Sequence, residues 1–492
     1  MTVTADSSAA RENRWSTRLL IWAAVLILAN VLVDIVIGSP LMVMPQLMAH
    51  FDTDQAAWLN ASAMLAGAIW APLLAKSSDV FGKRRILVGT LVMAGVGALV
   101  CLAAPNLWIF LIGRFLQGAA LAAVFLTVTL ARQICAPGVA VVLVGLLTSG
   151  PSIVGIIEPF LMKPVIDAFG YRSVFVVAAL LATAAAIGVR CLVPESPIRI
   201  AARIDVFGAL LLGGGIGATL AYISLGQAVG WSDGRMIALL AAGAGALVWW
   251  AVCALRVDEP LIDIRALHRP ILLTLLALLL AAGSFRSMLQ LTSVVAQVPV
   301  ELGLGYGLGH GEAIAILLAV PNLGIVVGGV CAGWVAGRGS GPARPLLGGI
   351  TIGAVATFAM LLGVSALPLA IVCATMLGVA AGAISASGYN LAIDFAAPEH
   401  QGTIAGLVSV MLALGSVVFN FAGGEVLKAT RILGMAAGGA PVSTAGGVHL
   451  YVAMAGTLFA LAAIPVIMLG RKRSPQAFRT GVDNAVEEAC RR

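Results

Sequence analysis

Fourteen runs of mostly apolar residues, each long enough to cross a lipid bilayer as a helix, divide this chain from end to end. A spanning helix needs about 20 such residues. By that measure the runs fall near 17–38, 56–76, 86–104, 107–131, 139–162, 172–193, 204–227, 235–255, 271–296, 311–336, 346–365, 367–390, 402–426 and 448–470. In hydrocarbon every backbone group must find its partner within the protein, so such runs fold as helices. Composition agrees, since 60% hydrophobic residues against 10% charged ones exclude water as the main solvent. Fifty-seven glycines with only 6% aromatics point to helices that pack closely through small residues. The polar first sixteen residues lead straight into an apolar run, without the short core and small-residue cleavage site of a removable leader. The first span is therefore expected to stay attached.

An even number of spans puts both termini on one side. If that side is cytoplasmic, its loops and tails hold 22 of the 29 Lys and Arg and the opposite loops hold 5, with Arg114 and Arg286 inside spans. This sorting fixes the expected orientation. The densest clusters, Lys76 with Lys83, Arg84 and Arg85, and Arg471 with Lys472 and Arg473, both fall inside, whereas the loop near 39–55 has no Lys or Arg and is expected outside. The net charge of +7 is thus a membrane signature, and no nucleic-acid partner is expected. Cys101, Cys135, Cys191, Cys253, Cys331, Cys373 and Cys490 lack CxxC or Cys/His spacing and read as small hydrophobes, so neither metal nor cofactor is expected. No loop exceeds about 25 residues, too short for a soluble catalytic domain of ordinary size. GxxxxGK[ST], HExxH and GxSxG are all absent. A membrane-embedded transferase is therefore the weaker alternative, and the chain is read as no enzyme. Work must be driven by an ion gradient or by the substrate's own.

The most specific stretch is Ala75-Lys76-Ser77-Ser78-Asp79-Val80-Phe81-Gly82-Lys83-Arg84-Arg85, between the second and third runs. It resembles the loop signature of the major facilitator superfamily at Asp79, Gly82, Lys83, Arg84 and Arg85, while Ala75 and Val80 replace the usual Gly and Arg. An Asp at a helix end can pair with basic groups and with a neighbouring helix N-terminus, latching an inner gate. Gly113-Arg114-Phe115-Leu116-Gln117-Gly118 is similar to the family's R-x-x-Q-G motif. Gly145, Gly150, Pro151, Gly155 and Pro159 resemble the antiporter motif, with an extra residue before Gly155 and Ile156 in place of its second Gly. Pro398-Glu399-His400-Gln401-Gly402-Thr403-Ile404-Ala405-Gly406 is similar to the family's approach to its eleventh span. Pro137 and Gly145 echo Pro398 and Gly406 at the same interval of eight, a hint of duplication.

Charges inside spans are costly and face a partner or a wet cavity. Asp34, about seventeen residues into the first run, is the first candidate proton carrier, with Arg114 tuning it and Glu158 as second carboxylate. Burial and a nearby cation pull such a group's proton affinity in opposite directions, which makes it switchable. Arg286, about sixteen residues into its run, can balance those carboxylates or bind an anion. Trp70, Phe125, Phe285 and Asn322 are further cavity candidates, with packing as the plainer role of each.

These resemblances imply an all-helical integral membrane protein of the major facilitator fold, in the fourteen-helix drug/proton antiporter branch. Residues 1–200 would form one six-helix bundle, 201–260 two extra spans, and 261–492 the second bundle and tail. The implied function is proton-coupled export of amphipathic, drug-like compounds from a plasma (inner) membrane, by a monomer whose partners are substrate, protons and lipid. An uptake symporter or a facilitator of an organic anion is the nearest alternative.

Overall fold

A computed structural model of the chain describes residues 16–43, 46–47, 50–51, 56–199, 205–257, 260, 267–308, 313–397, 400–437 and 440–470. The first group of helices is α1 (Thr17–Met42), α2 (Ala56–Phe81), α3 (Lys83–Ala103), α4 (Leu107–Gln117), α5 (Ala122–Ile134), α6 (Pro137–Ser149), α7 (Pro151–Phe169) and α8 (Arg172–Leu192). A 3-10 turn, Gly118–Leu121, joins α4 to α5, and Gly150 alone separates α6 from α7, so each pair makes one crossing. Next come α9 (Val206–Val229) and α10 (Gly234–Ala254). The last group is α11 (Arg269–Gln297), α12 (Ala313–Val335), α13 (Ala343–Gly363), α14 (Leu367–Asp394), α15 (Gln401–Ala429) and α16 (Ala445–Gly470). Among the described residues, 13 helices are long and apolar enough to cross a membrane. The helix α2 occupies the place of the second expected span but is not one of the thirteen, so the expected fourteen is not reached by that measure. The expected basic cluster Arg471–Arg473 lies outside the described residues.

Local sequence sets the helix ends. Pro137, Pro151, Pro270 and Pro368 stand in first turns, where a missing N–H costs nothing. The Asn106 side chain accepts from the Ile109 N–H at 3.0 Å and starts α4. Between α2 and α3 the chain turns sharply at Gly82, whose φ of 101° disfavours any residue with a Cβ.

The connection between α15 and α16, for which the sequence signalled no regular structure, is a hairpin. Strand β1 (Arg431–Ala437) pairs antiparallel with β2 (Ala440–Ser443), satisfying backbone groups that a bare loop would leave to water. Tyr306 ties it down, its hydroxyl donating to the Ser443 carbonyl at 2.7 Å and accepting from the Ser443 N–H at 3.2 Å. Burial pushes this phenol above the ordinary tyrosine value, while the bond to Ser443 acts the other way.

Helices α1–α8 pack mainly on one another, as do α11–α16. The two halves meet along a seam where α2 lies on α15 and α6 lies on α12 and α14. Small residues let the backbones touch there: Gly145 faces the Gly329 carbonyl and Gly406 faces Ala75. These are the two glycines that echo one another in sequence, and Ala75 finds room because its opposite number is Gly406. The pair α9–α10 flanks the seam, with Ala209 and Leu212 of α9 packing near Leu73 of α2 and Leu407 of α15. Below, the end of the molecule where α1 begins and α16 stops is the terminal face, and the other end is the far face.

Candidate functional site

At the terminal face one carboxylate joins the halves. Asp79, at the end of α2, is 1% exposed. It accepts from the backbone N–H of Gly402 at 3.0 Å, from that of Thr403 at 2.9 Å and from the Thr403 hydroxyl at 2.9 Å. Those amides belong to the open first turn of α15, where unpaired N–H groups and the helix dipole favour an anion. Gly402 is required by this approach, since a Cβ there would run into the Asp79 carboxylate. The ammonium of Lys83, also buried, reaches the same carboxylate at 2.9 Å. Arg84 and Arg85 serve the structure differently: their backbone N–H groups are held by Glu195 at 2.8 and 3.1 Å, so a second carboxylate caps α3. Sequence reading missed Glu195, which lies 110 residues from Arg85.

A second link between the halves lies beside the first. Arg132 of α5 forms a salt bridge with Asp394 of α14 and donates to the Asn390 side chain at 3.4 Å. Asn390 in turn donates to the Val141 carbonyl of α6 at 3.3 Å. Arg132, Asp394 and Asn390 went unnoticed in the sequence, although Arg132 and Asp394 are charges at the ends of two apolar runs.

Deeper in, Asp34, Glu158 and Arg286 form a group at the middle of the molecule. Asp34 is half-buried on α1 and within electrostatic range of both Glu158 and Arg286. Glu158 of α7 is 7% exposed and accepts a hydrogen bond from Ser39 of α1, five residues past Asp34. Arg286 of α11 is exposed, although it sits in the middle of a helix that is long and apolar enough to span. Its electrostatic partner, Asp34, belongs to the other half. Among the described residues, none of the three makes a salt bridge.

Arg114 does not join that group as expected. It is completely buried, donates to the Val36 carbonyl at 2.7 Å and to Gln117 at 3.0 Å, and pairs with no carboxylate among the described residues. Among the described residues its Nε and Nη2 have no partner. It therefore touches α1 through the backbone two residues beyond Asp34. Of the aromatic candidates, Phe125 is wholly buried and Phe285 is 5% exposed, so both act here as packing residues. Trp70 is half-buried, with its ring on Phe115 and its N–H donating to the Phe115 carbonyl at 3.0 Å. Asn322 of α12 stands across the seam from Gly155 of α7, its amide 3.9 Å from where a Cβ would be. Gly150 and Pro151 stand at the joint between α6 and α7.

Comparison with known families decides the class: the profile of the Major Facilitator Superfamily matches residues 26–420. The chain belongs to the Major Facilitator Superfamily. Members of this superfamily are transporters rather than enzymes, and this chain is a multi-pass membrane transporter. Among curated superfamily relatives, it is 26% identical over 427 residues to a multidrug resistance protein B homolog of Mycobacterium tuberculosis, covering 82% of this chain and 76% of that one. It is 24% identical to a probable actinorhodin transporter of Streptomyces coelicolor, over 73% of this chain and 64% of that one. The superfamily fold recurs in an outward-facing bacterial homologue of the iron transporter ferroportin, with a TM-score of 0.65, 11% identity, and coverage of 93% of this chain and 100% of that one. It also recurs in the fucose:proton symporter of E. coli, with a TM-score of 0.61, 14% identity, and coverage of 93% and 98%.

Proposed function

We propose that the protein is a proton-coupled exporter of amphipathic, drug-like compounds, working by alternating access between two six-helix bundles, residues 1–200 and 261–492, with residues 201–260 as an added helix pair. The observation that carries this reading is the group Asp34, Glu158 and Arg286, two carboxylates on one half and a cation on the other, without a salt bridge among the described residues, while Asp79 of one half is bonded to the first turn of α15 in the other. The terminal face is cytoplasmic in this reading, because the positive-inside bias of the loops falls there. Asp34 takes up the proton from the far side. Its protonation removes a negative charge from beside Glu158 and withdraws the partner of Arg286, which changes the attraction between the halves. The latch of Asp79, Gly82, Lys83, Arg84 and Arg85 then opens, and substrate enters from the cytoplasm or inner leaflet. A proton moving inward down about 100 mV releases about 2.3 kcal/mol, enough for roughly a fifty-fold gradient of a neutral substrate.

The names of two relatives, a multidrug resistance protein homolog and an actinorhodin transporter, support export of such compounds. The exposed Arg286 favours one rival, uptake or facilitation of an organic anion. Inside-out vesicles with an acid lumen separate the two. An exporter releases lumenal protons when a lipophilic dye is added. The rival shows no dye-driven release and instead carries an organic anion together with protons.

A further inference from the structure

Asn30 lies on α1 one turn before Asp34, is 1% exposed, and has no part in the mechanism above. Its side-chain N–H donates to the Leu147 carbonyl of α6 at 2.9 Å. Its side-chain oxygen stands 3.1 Å from the Thr127 hydroxyl of α5. The choice of carbonyl gives the contact its meaning. In an unbroken helix the Leu147 carbonyl would accept from the N–H of residue 151. Residue 151 is proline and has none. The neighbouring Leu146 carbonyl is served normally, by the Gly150 N–H at 2.7 Å. Asn30 thus supplies from another helix the one bond that Pro151 removes.

On the terminal-face side of this joint, Gly145 and Ser149 pack on Gly329 of the other half. On the far side, Glu158 takes the hydrogen bond of Ser39, which returns the chain to α1. We propose that Asn30 is a positioning residue, a bracket from α1 that sets the α6–α7 joint and so holds Glu158 in register with Asp34 and the seam. Only its functional consequence rests on the proton-coupling reading. The bracket itself is a claim about structure.

The test is a suppressor. Asn30→Leu keeps the volume and removes the bond, and adding Pro151→Ala restores an N–H that can take the Leu147 carbonyl. Hydrogen–deuterium exchange in lipid nanodiscs is followed in peptides covering residues 143–158, with peptides of α13 as internal reference. Asn30→Leu is expected to speed exchange across the joint about tenfold, the scale of one lost buried bond, without changing α13. The double variant returns to the wild-type exchange rate, and proton-driven transport falls in the single variant. Unchanged exchange in the single variant, acceleration spread equally to α13, or a double variant as fast as the single would each overturn the bracket. If Asn30→Leu does not accumulate, the double variant must restore accumulation, and its failure to do so counts against the proposal. Should the wild type carry no protons, the proposed function falls while the exchange experiment still decides the bracket.

Discussion

The two ends of the seam are built to different rules. At the terminal face, Asp79 spans 323 residues of sequence to seat on the first turn of α15, and Arg132 spans 262 to reach Asp394. Nearer the middle, Asp34 lies within electrostatic range of Glu158 and Arg286, and none of the three forms a salt bridge among the described residues. In the proposed mechanism the contrast separates the end that is shut from the end that senses. Bonded charges hold a gate, because breaking them costs energy only once the halves part. Charges without an ionic partner answer to protons and ligands, because adding one changes a balance that no opposite charge has already settled.

The largest effect is expected at the sensing group. Asp34→Asn keeps size and hydrogen bonding while removing titration, so accumulation of a dye under an imposed pH gradient should stop, while binding survives and loses its pH dependence. Continued accumulation by this variant would pass the carrier role to Glu158 or to neither carboxylate.

At the latch, Asp79→Asn removes the charge facing the buried Lys83 ammonium and weakens the hold on Gly402 and Thr403. Hydrogen bonds to a charged group are worth about 1.5–3 kcal/mol each, so weakening those that cross the seam should move the gate equilibrium by about an order of magnitude or more. In reconstituted samples matched for protein content, transport should slow or uncouple while membrane insertion stays normal. Unchanged rates would reduce the loop to a topological anchor.

The neighbouring latch is a weaker one. Arg132 and Asp394 are partly exposed, with side-chain exposures of 10% and 28%, and such pairs contribute about 0–1 kcal/mol. Asp394→Asn should therefore raise the rate of gate opening only a few-fold, measured by labelling of a cysteine behind the gate. An effect as large as that of Asp79→Asn would mean the roles are reversed. The smallest effect on access belongs to Tyr306, whose bonds stay within one half. Tyr306→Phe should lower thermal stability by about 1 kcal/mol and leave transport coupling as it was, which a melting curve beside a transport assay can check.

Much of this was legible in the sequence for a physical reason. Lipid forces long apolar runs and punishes stray charges, so the helices and Asp34, Arg114, Glu158 and Arg286 stand out. Asp79 was legible through its loop pattern and Gly402 and Thr403 lay in a motif that marks the start of a span, but nothing in the sequence paired the two, 323 residues apart. Arg114 misled for a similar reason: a buried cation suggests a carboxylate, and here a backbone carbonyl and a glutamine serve instead. Asn30 was invisible because one asparagine in an apolar run signals nothing until the missing N–H of Pro151 is placed beside it. The hairpin after α15 was missed because Arg431–Ala437 and Ala440–Ser443 are short and apolar and lie between two spans, where helix and strand read alike.

The central claim, a gate latched at the terminal face and released when the interior charge changes, is tested most directly by distances between the halves. Spin labels at Leu192→Cys and Ala397→Cys report the terminal face, and labels at Ala168→Cys and Ser365→Cys report the far face, in protein cleared of its native cysteines and held in nanodiscs. The account predicts a short terminal-face distance with a longer far-face one at alkaline pH. Acidification and Asp79→Asn should each lengthen the first and shorten the second, and Asp34→Asn should abolish the response to pH. If both distances stay fixed in the Asp79→Asn protein at every pH, the latch does not govern access and the account is contradicted.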